Sequence, residues 1–335
     1  MTYRPLGRTG LQVSRLGLGT SVLARKAAPD DVPRIIRAAL DAGINLIDTA
    51  NIYGRGDAER MVGNALHDLG CRENVLVATK LHGRMHDTDP NQRGSSRRHI
   101  IEQCEGSLRR LRTDYIDLYQ LHRPEPSTPI DETLRAFDDL VRQGKVRYVG
   151  TSVFPAWKLI EALWASREHR LVRFATEQPP YHLLDRRIER ELVPMARTHG
   201  LGLITWSPLA GGMLTGRYSR EAPDAAEGRL NDENWFSKRS HFVPAAFNVV
   251  DRLAQLAEAR GCTAAQVAIA WANTRPGVTC TLIGNRTPDQ LRDNLAALTI
   301  ELTDAECAAL DAVAPPGRAS VPYYDDPGWA APTYR

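Results

Sequence analysis

Eight short apolar runs, each separated from the next by a segment of helical spacing, restrict this chain's fold more than any other feature. Strands are expected over residues 15–20, 44–47, 75–79, 115–121, 146–152, 173–178, 202–206 and 278–283. Between them apolar residues recur three and four positions apart. Val32, Ile35, Ile36, Ala39 and Leu40 are one such set, and Ile100, Ile101, Cys104, Leu108 and Leu111 another. Helices are expected over residues 31–42, 58–69, 99–111, 156–166, 188–199, 245–259, 264–273, 288–298 and 304–313. One more opens at Thr128-Pro129-Ile130-Asp131, with Thr128 as cap and Pro129 as first helical residue, and stops before Gly144.

Strict strand–helix alternation implies parallel strands joined by right-handed crossovers. Eight such units in 335 residues fit a closed (β/α)8 TIM barrel. An open doubly wound sheet is the alternative, but no Gly-x-Gly-x-x-Gly follows the first strand, which counts against it. The Arg-Thr-Gly turn within residues 3–14 reads as a β-hairpin ahead of the barrel, and the polar stretch 219–241 as an excursion over its face. No linker, composition break or repeat divides the chain. Residues 1–335 are therefore expected to form one α/β domain, with extra loops and helices at the C-terminal face of the barrel.

At 42% hydrophobic and 25% charged residues, with a net charge of +3 and mixed signs, the chain offers no nucleic-acid or membrane surface. It shows no signal peptide and no apolar run long enough to span a bilayer. Five cysteines (Cys71, Cys104, Cys262, Cys280 and Cys307) lie far apart without a Cys-x-x-Cys pair, which points to reduced thiols and a cytoplasmic protein. Only five of the 43 basic residues are lysines. In a chain so inclined to arginine, Lys80 at the end of an apolar strand stands out.

Four polar residues of different chemistry end, or closely follow, apolar strands. Asp48 follows strand two and Tyr53 lies in the loop after it; Lys80 closes strand three and His122 strand four. Taken alone, Asp48 and Tyr53 also fit a helix-capping carboxylate and a packing ring. In a barrel, however, the C-terminal strand ends share one site. There a phenol, a poor proton donor at neutral pH, gains an ammonium neighbour that favours the phenolate. Buried Lys80 needs a carboxylate such as Asp48 to hold its charge. His122 can donate a hydrogen bond to a carbonyl oxygen. No member of the set is an obvious nucleophile toward acyl or phosphoryl groups. Together they suit protonation of the oxyanion formed as hydride adds to a carbonyl.

The motifs DTANIYG, ATK ending at Lys80 and LH ending at His122 resemble the catalytic tetrad of the aldo-keto reductase superfamily, near the branch containing potassium-channel β subunits. The resemblance runs from GRTGLQVSRLGLGT to NRTPDQLRDNL. It implies Tyr53 as general acid/base, Asp48 and Lys80 as its tuners, and His122 as the group polarising the substrate carbonyl. It further implies NADP(H) bound in extended form. Thr20 and Asp48 match residues beside the nicotinamide. Ser152 and Gln178 match its carboxamide contacts, and Trp206 the aromatic on which the ring stacks. Val153 stands where many members have Asn. Ser207, Leu209 and Gly211 match a pyrophosphate loop, with Arg217 adding charge. Gly284, Asn285, Arg286, Gln290 and Asn294 match the adenosine end, Arg286 meeting the 2′-phosphate.

Thr287 and Gln290 also read as a capping box whatever the cofactor does. His82 and His86, four residues apart in a loop with no third ligand, do not read as a metal site. Tyr323, Tyr324, Trp329 and Tyr334 leave three roles open: lining the substrate pocket, packing on a neighbouring subunit, or remaining partly disordered. The expected activity is NADPH-dependent interconversion of carbonyls and alcohols on small molecules. Two alternatives stand beside it: a slow-turnover, cofactor-binding regulatory subunit, and a Schiff-base aldolase using Lys80. Substrate, reaction direction and subunit number are not readable.

Overall fold

The computed structural model describes residues 1–28, 30–225, 227–232 and 241–321. Strands β1 (Tyr3–Pro5) and β2 (Gln12–Ser14) pair as an antiparallel hairpin. The strands β3 (Leu16–Gly19), β4 (Leu46–Asp48), β5 (Leu76–Leu81), β6 (Ile116–Leu121), β7 (Val146–Ser152), β8 (Thr176–Gln178), β9 (Gly202–Thr205) and β10 (Val278–Ile283) form a closed parallel barrel, β10 pairing with β3 to complete it. The expected barrel and hairpin are therefore both present.

The crossovers carry helices α1 (Leu23–Lys26), α2 (Asp31–Asp41), α3 (Asp57–Asp68), α4 (Arg97–Leu111), α5 (Ile130–Arg142), α6 (Ala156–Glu168), α7 (Leu192–His199), α8 (Pro244–Arg260) and α9 (Ala264–Thr274), and α10 (Pro288–Leu295) and α11 (Asp304–Val313) follow the last strand. Whereas α8 and α11 pack on each other in a second apolar cluster, most of the apolar stripes pack on the outer face of the strands. Ile35, Ile36 and Ala39 of α2 and Leu134, Phe137 and Leu140 of α5 are fully buried there. Several boundaries differ from expectation, two of them at prolines, and one expected capping box does not close. Pro129, with φ −55° and ψ 137°, is the N-cap of α5 rather than its first helical residue, and no side chain caps that end. Helix α7 begins at Leu192, not 188, after a separate 3-10 turn at Arg187–Glu189. An earlier start would put Pro194, which has no N–H to donate, in the helix interior rather than its first turn. Thr287 accepts the Gln290 N–H, but the Gln290 side chain accepts the Arg286 N–H instead of closing the box on Thr287.

The hairpin sits across the end of the barrel at which the strands begin. Ser14 N donates to Asn45 Oδ1, just ahead of β4, and Arg4 Nη1 donates to Val278 O at the start of β10. Leu6 and Val13 join Leu46, Ala78, Leu118, Ile204, Cys280 and Leu282 in the barrel interior. Gly7, at φ 59°, allows that approach, since a Cβ there would lie 2.6 Å from Gly202 N. With one end plugged by side chains, the opposite end is where the loops can build a site. All five cysteines are free thiols, and among the described residues no helix is long and apolar enough to cross a membrane. Within the 219–241 stretch, the described residues form short 3-10 turns at Pro223–Ala225 and Arg229–Asn231; residues 233–240 and the four tail aromatics lie outside the described residues.

Candidate active site

Strand alternation selects which side chains meet at the open end. Leu46, Ala78, Leu118 and Ile204 point into the barrel, so the residues two positions on share that face. Those residues are Asp48, Lys80, Gln120 and Trp206. Register then aligns them: Lys80 lies opposite Gln120, and Ser152 opposite Gln178. One polar layer therefore closes the apolar interior from above.

Lys80 is fully buried and forms the hub. Its Nζ donates to Asp48 Oδ1 at 2.5 Å, to Thr49 O at 2.8 Å and to Tyr53 Oη at 3.5 Å. Burial works to lower its pKa, but the Asp48 carboxylate, with Tyr53 and the hydrogen bonds, outweighs burial and raises it. Lys80 is thus a held cation, not a free amine. The second carboxylate oxygen, Asp48 Oδ2, accepts Gln178 Nε2 at 2.7 Å and Gln120 Nε2 at 3.4 Å. Thr20 fixes the same residue from its backbone, Oγ1 donating to Asp48 O at 3.0 Å.

Tyr53 is carried on a tight turn that begins where Tyr53 N donates to Ala50 O. Gly54, Arg55 and Gly56 all have positive φ, which turns the chain sharply toward α3 and leaves the phenol half-buried over Lys80. His122, immediately after β6, meets the Tyr53 ring edge to face at 5.6 Å between centroids. Burial first, then the charges of Lys80 and Arg123, hold the His122 imidazole well below its ordinary pKa. A neutral imidazole and a phenol backed by a cation thus face the same space, with Asp48 and Lys80 buried beneath them. The four residues singled out from the sequence come together in one site.

Ser152 Oγ donates to Gln178 O at 2.8 Å, leaving its lone pairs as acceptors. Trp206 is half-buried, its Nε1 donating to Gln178 O at 3.1 Å. The loop after β9 holds Ser207, Ala210, Gly211 and Gly212 at positive φ, a backbone form whose N–H groups can converge on an anion. Arg217 is exposed at its end, and Leu209 packs partly against the core. After β10, Gly284 is exposed and the Arg286 guanidinium makes no ion pair among the described residues. Asn294 is buried and donates to Asn285 Oδ1 at 2.6 Å, while the buried Asn285 Nδ2 has no partner. This donor set suits a long, anionic dinucleotide: a buried donor without a partner, an uncommitted guanidinium and a left-handed backbone cradle lie on one side of the site.

Gln120 was not singled out from the sequence. Its signal was parity, since it follows Leu118 by two residues on an inward-facing strand. Loop residue His82 lies 3.5 Å from Glu125 through Nε2, and among the described residues no three potential ligands gather around a metal position. An open cavity of about 560 Å³ adjoins this end of the barrel, walled by Phe154, Pro155, Trp157, Pro179, Pro180 and Ile188 among others.

Comparison with known proteins follows the same lines. The profile described as "Aldo/keto reductase family" matches residues 15–315. The chain is 40% identical over 310 residues to "Uncharacterized oxidoreductase YrpG" of Bacillus subtilis (strain 168), covering 90% of this chain and 92% of the relative. It is 39% identical over 305 residues to a "Probable voltage-gated potassium channel subunit beta" of Oryza sativa subsp. japonica, and 36% identical over 304 residues to a protein of the same description from Arabidopsis thaliana. Both again cover 90% of this chain and 92% of the relative.

Proposed function

Because the chain belongs to the aldo/keto reductase family, whose members generally use nicotinamide cofactors, we propose that it is an NADPH-dependent oxidoreductase reducing aldehydes or ketones on small molecules. The reading assigns this work to one barrel domain in the cytoplasm, which the free thiols favour. The observation that carries it is the Lys80 ammonium shared between Asp48 at 2.5 Å and Tyr53 at 3.5 Å, with the His122 ring edge to face against the phenol.

NADPH, when bound, supplies the hydride. The residues do the rest. His122, kept neutral, donates a hydrogen bond that orients and polarises the substrate carbonyl. Tyr53 Oη gives its proton to the oxygen on which negative charge develops, and Lys80 stabilises the phenolate left behind. Asp48 neutralises Lys80, so the buried site carries no uncompensated charge. Ser152, Gln178 and Trp206 hold the nicotinamide, with Thr20 and Asp48 beside it. Ser207, Leu209, Gly211 and Arg217 meet the pyrophosphate. Gly284, Arg286, Gln290 and Asn294 take the adenosine end, Arg286 facing the 2′-phosphate.

Two relatives carry the description of a channel β subunit, which favours a second reading: a cofactor-binding regulatory subunit with slow turnover. NADPH consumption across a panel of aldehydes and ketones separates the two. In the same assay Arg286→Ala should weaken NADPH about 10–100-fold and NADH hardly at all. Equal weakening of both would remove the 2′-phosphate assignment.

A further inference from the structure

Glu177 is a fully buried carboxyl group that takes no part in the proton transfer above. It alternates with Gln178, so it points outward from the barrel interior and away from the reacting centre. Its surroundings nevertheless all belong to the segment that faces the cofactor. Oε1 accepts the Phe154 N–H at 3.0 Å, and Oε2 accepts the hydroxyl of Thr151. The N–H groups of Val153 and Gln178 also lie close enough to favour its charged form. The two oxygens thus collect donors from both sides of Ser152.

Val153 makes that gathering necessary. Its φ is 61°, in the left-handed region that branched side chains rarely occupy, and it connects Ser152 to Phe154. Phe154 is buried and meets Phe174 edge on at 6.3 Å between centroids, so the far end of the turn is fixed by packing. The near end, Ser152, is tied to Gln178 O. Burial pushes the Glu177 carboxyl up to about 8 against the pull of its donors.

We propose that Glu177 is a positioning residue for cofactor binding: its oxygens hold Val153 in the left-handed turn, and through that turn set Ser152 and Gln178 against the nicotinamide. The inference rests on the NADPH reading above.

The test is NADPH affinity, followed by fluorescence titration of the full chain. Glu177→Leu, which keeps bulk but removes both acceptors, should raise the Kd about tenfold or more, and Glu177→Gln, which keeps one acceptor, should raise it less. Adding Val153→Gly, which relieves the left-handed strain, should recover most of the loss in Glu177→Leu, whereas Val153→Ala should not. Turnover at saturating NADPH should change far less than Kd. A residue that merely supports the fold would not be rescued by a glycine at position 153. Should Glu177→Leu fail to fold, Thr151→Val removes one of the donors and carries the same test, with a smaller loss and the same rescue. Wild-type affinity in the substituted protein, or no recovery with Val153→Gly, overturns the proposal. Wild-type protein that binds no NADPH overturns the cofactor reading instead, and this inference with it.

Discussion

Lys80 Nζ lies 2.5 Å from Asp48 Oδ1, and neither side chain is more than 3% exposed. The pair is a buried charge and its counter-charge, so each member alone is far worse than both or neither. Lys80→Met or Asp48→Asn should each cost about 3–5 kcal/mol of stability. The double substitution should cost clearly less than the sum, as a double-mutant cycle in urea would read. An additive cycle would mean that the two charges do not depend on one another.

The neutral state of His122 fixes a pH profile. Its pKa is held well below the ordinary histidine range by burial, then by the Lys80 and Arg123 charges. Activity from about pH 5.5 to pH 8 should therefore show no inflection near the usual imidazole value. His122→Gln should lower kcat without altering the shape of the profile over that range. An inflection near pH 6.5 that vanishes in the variant would show the imidazole titrating freely.

Two other histidines set how stability responds to acid. Burial lowers His99 and His182 to about 4. Below about pH 6.5 the unfolded chain takes up protons at these positions that the folded chain refuses until about pH 4. Stability should therefore fall as pH drops through that window, by at most about 1.4 kcal/mol per pH unit for each histidine, offset in part by Glu177, whose raised carboxyl is protonated first in the folded chain. Melting curves from neutral to acid pH read this directly, and His182→Gln should flatten the decline. A melting temperature independent of pH across the window would contradict the burial of both rings.

The fold was legible because parallel barrel strands are buried on both faces and read as unbroken apolar runs. Strand ends were less so: the expected strand over 44–47 in fact extends through Asp48, and the one over 75–79 through Lys80 and Leu81. Both residues are polar, and their charges are tolerated inside only because each meets the other. A sequence cannot show that pairing ahead of the fold. The four residues of the site were visible because each chemistry ends or closely follows a strand, whereas Gln120 and Glu177 were not. Each is an amide or a carboxyl within an apolar strand, and its meaning depends on which face of that strand turns inward. Proline chemistry shifted two helix starts, at Pro129 and before Pro194. Nothing in the Val153 side chain announces its left-handed conformation.

Everything in the functional account converges on the Tyr53 hydroxyl as the proton donor, and Tyr53→Phe removes that oxygen while keeping the ring that meets His122. The deciding measurement is the turnover of this variant on a carbonyl substrate that the wild type reduces with NADPH, with the Kd for NADPH taken on the same preparation. The account predicts a fall in kcat of about a thousandfold or more, with the Kd within about twofold of wild type. A variant that turns over at a rate close to wild type would contradict it.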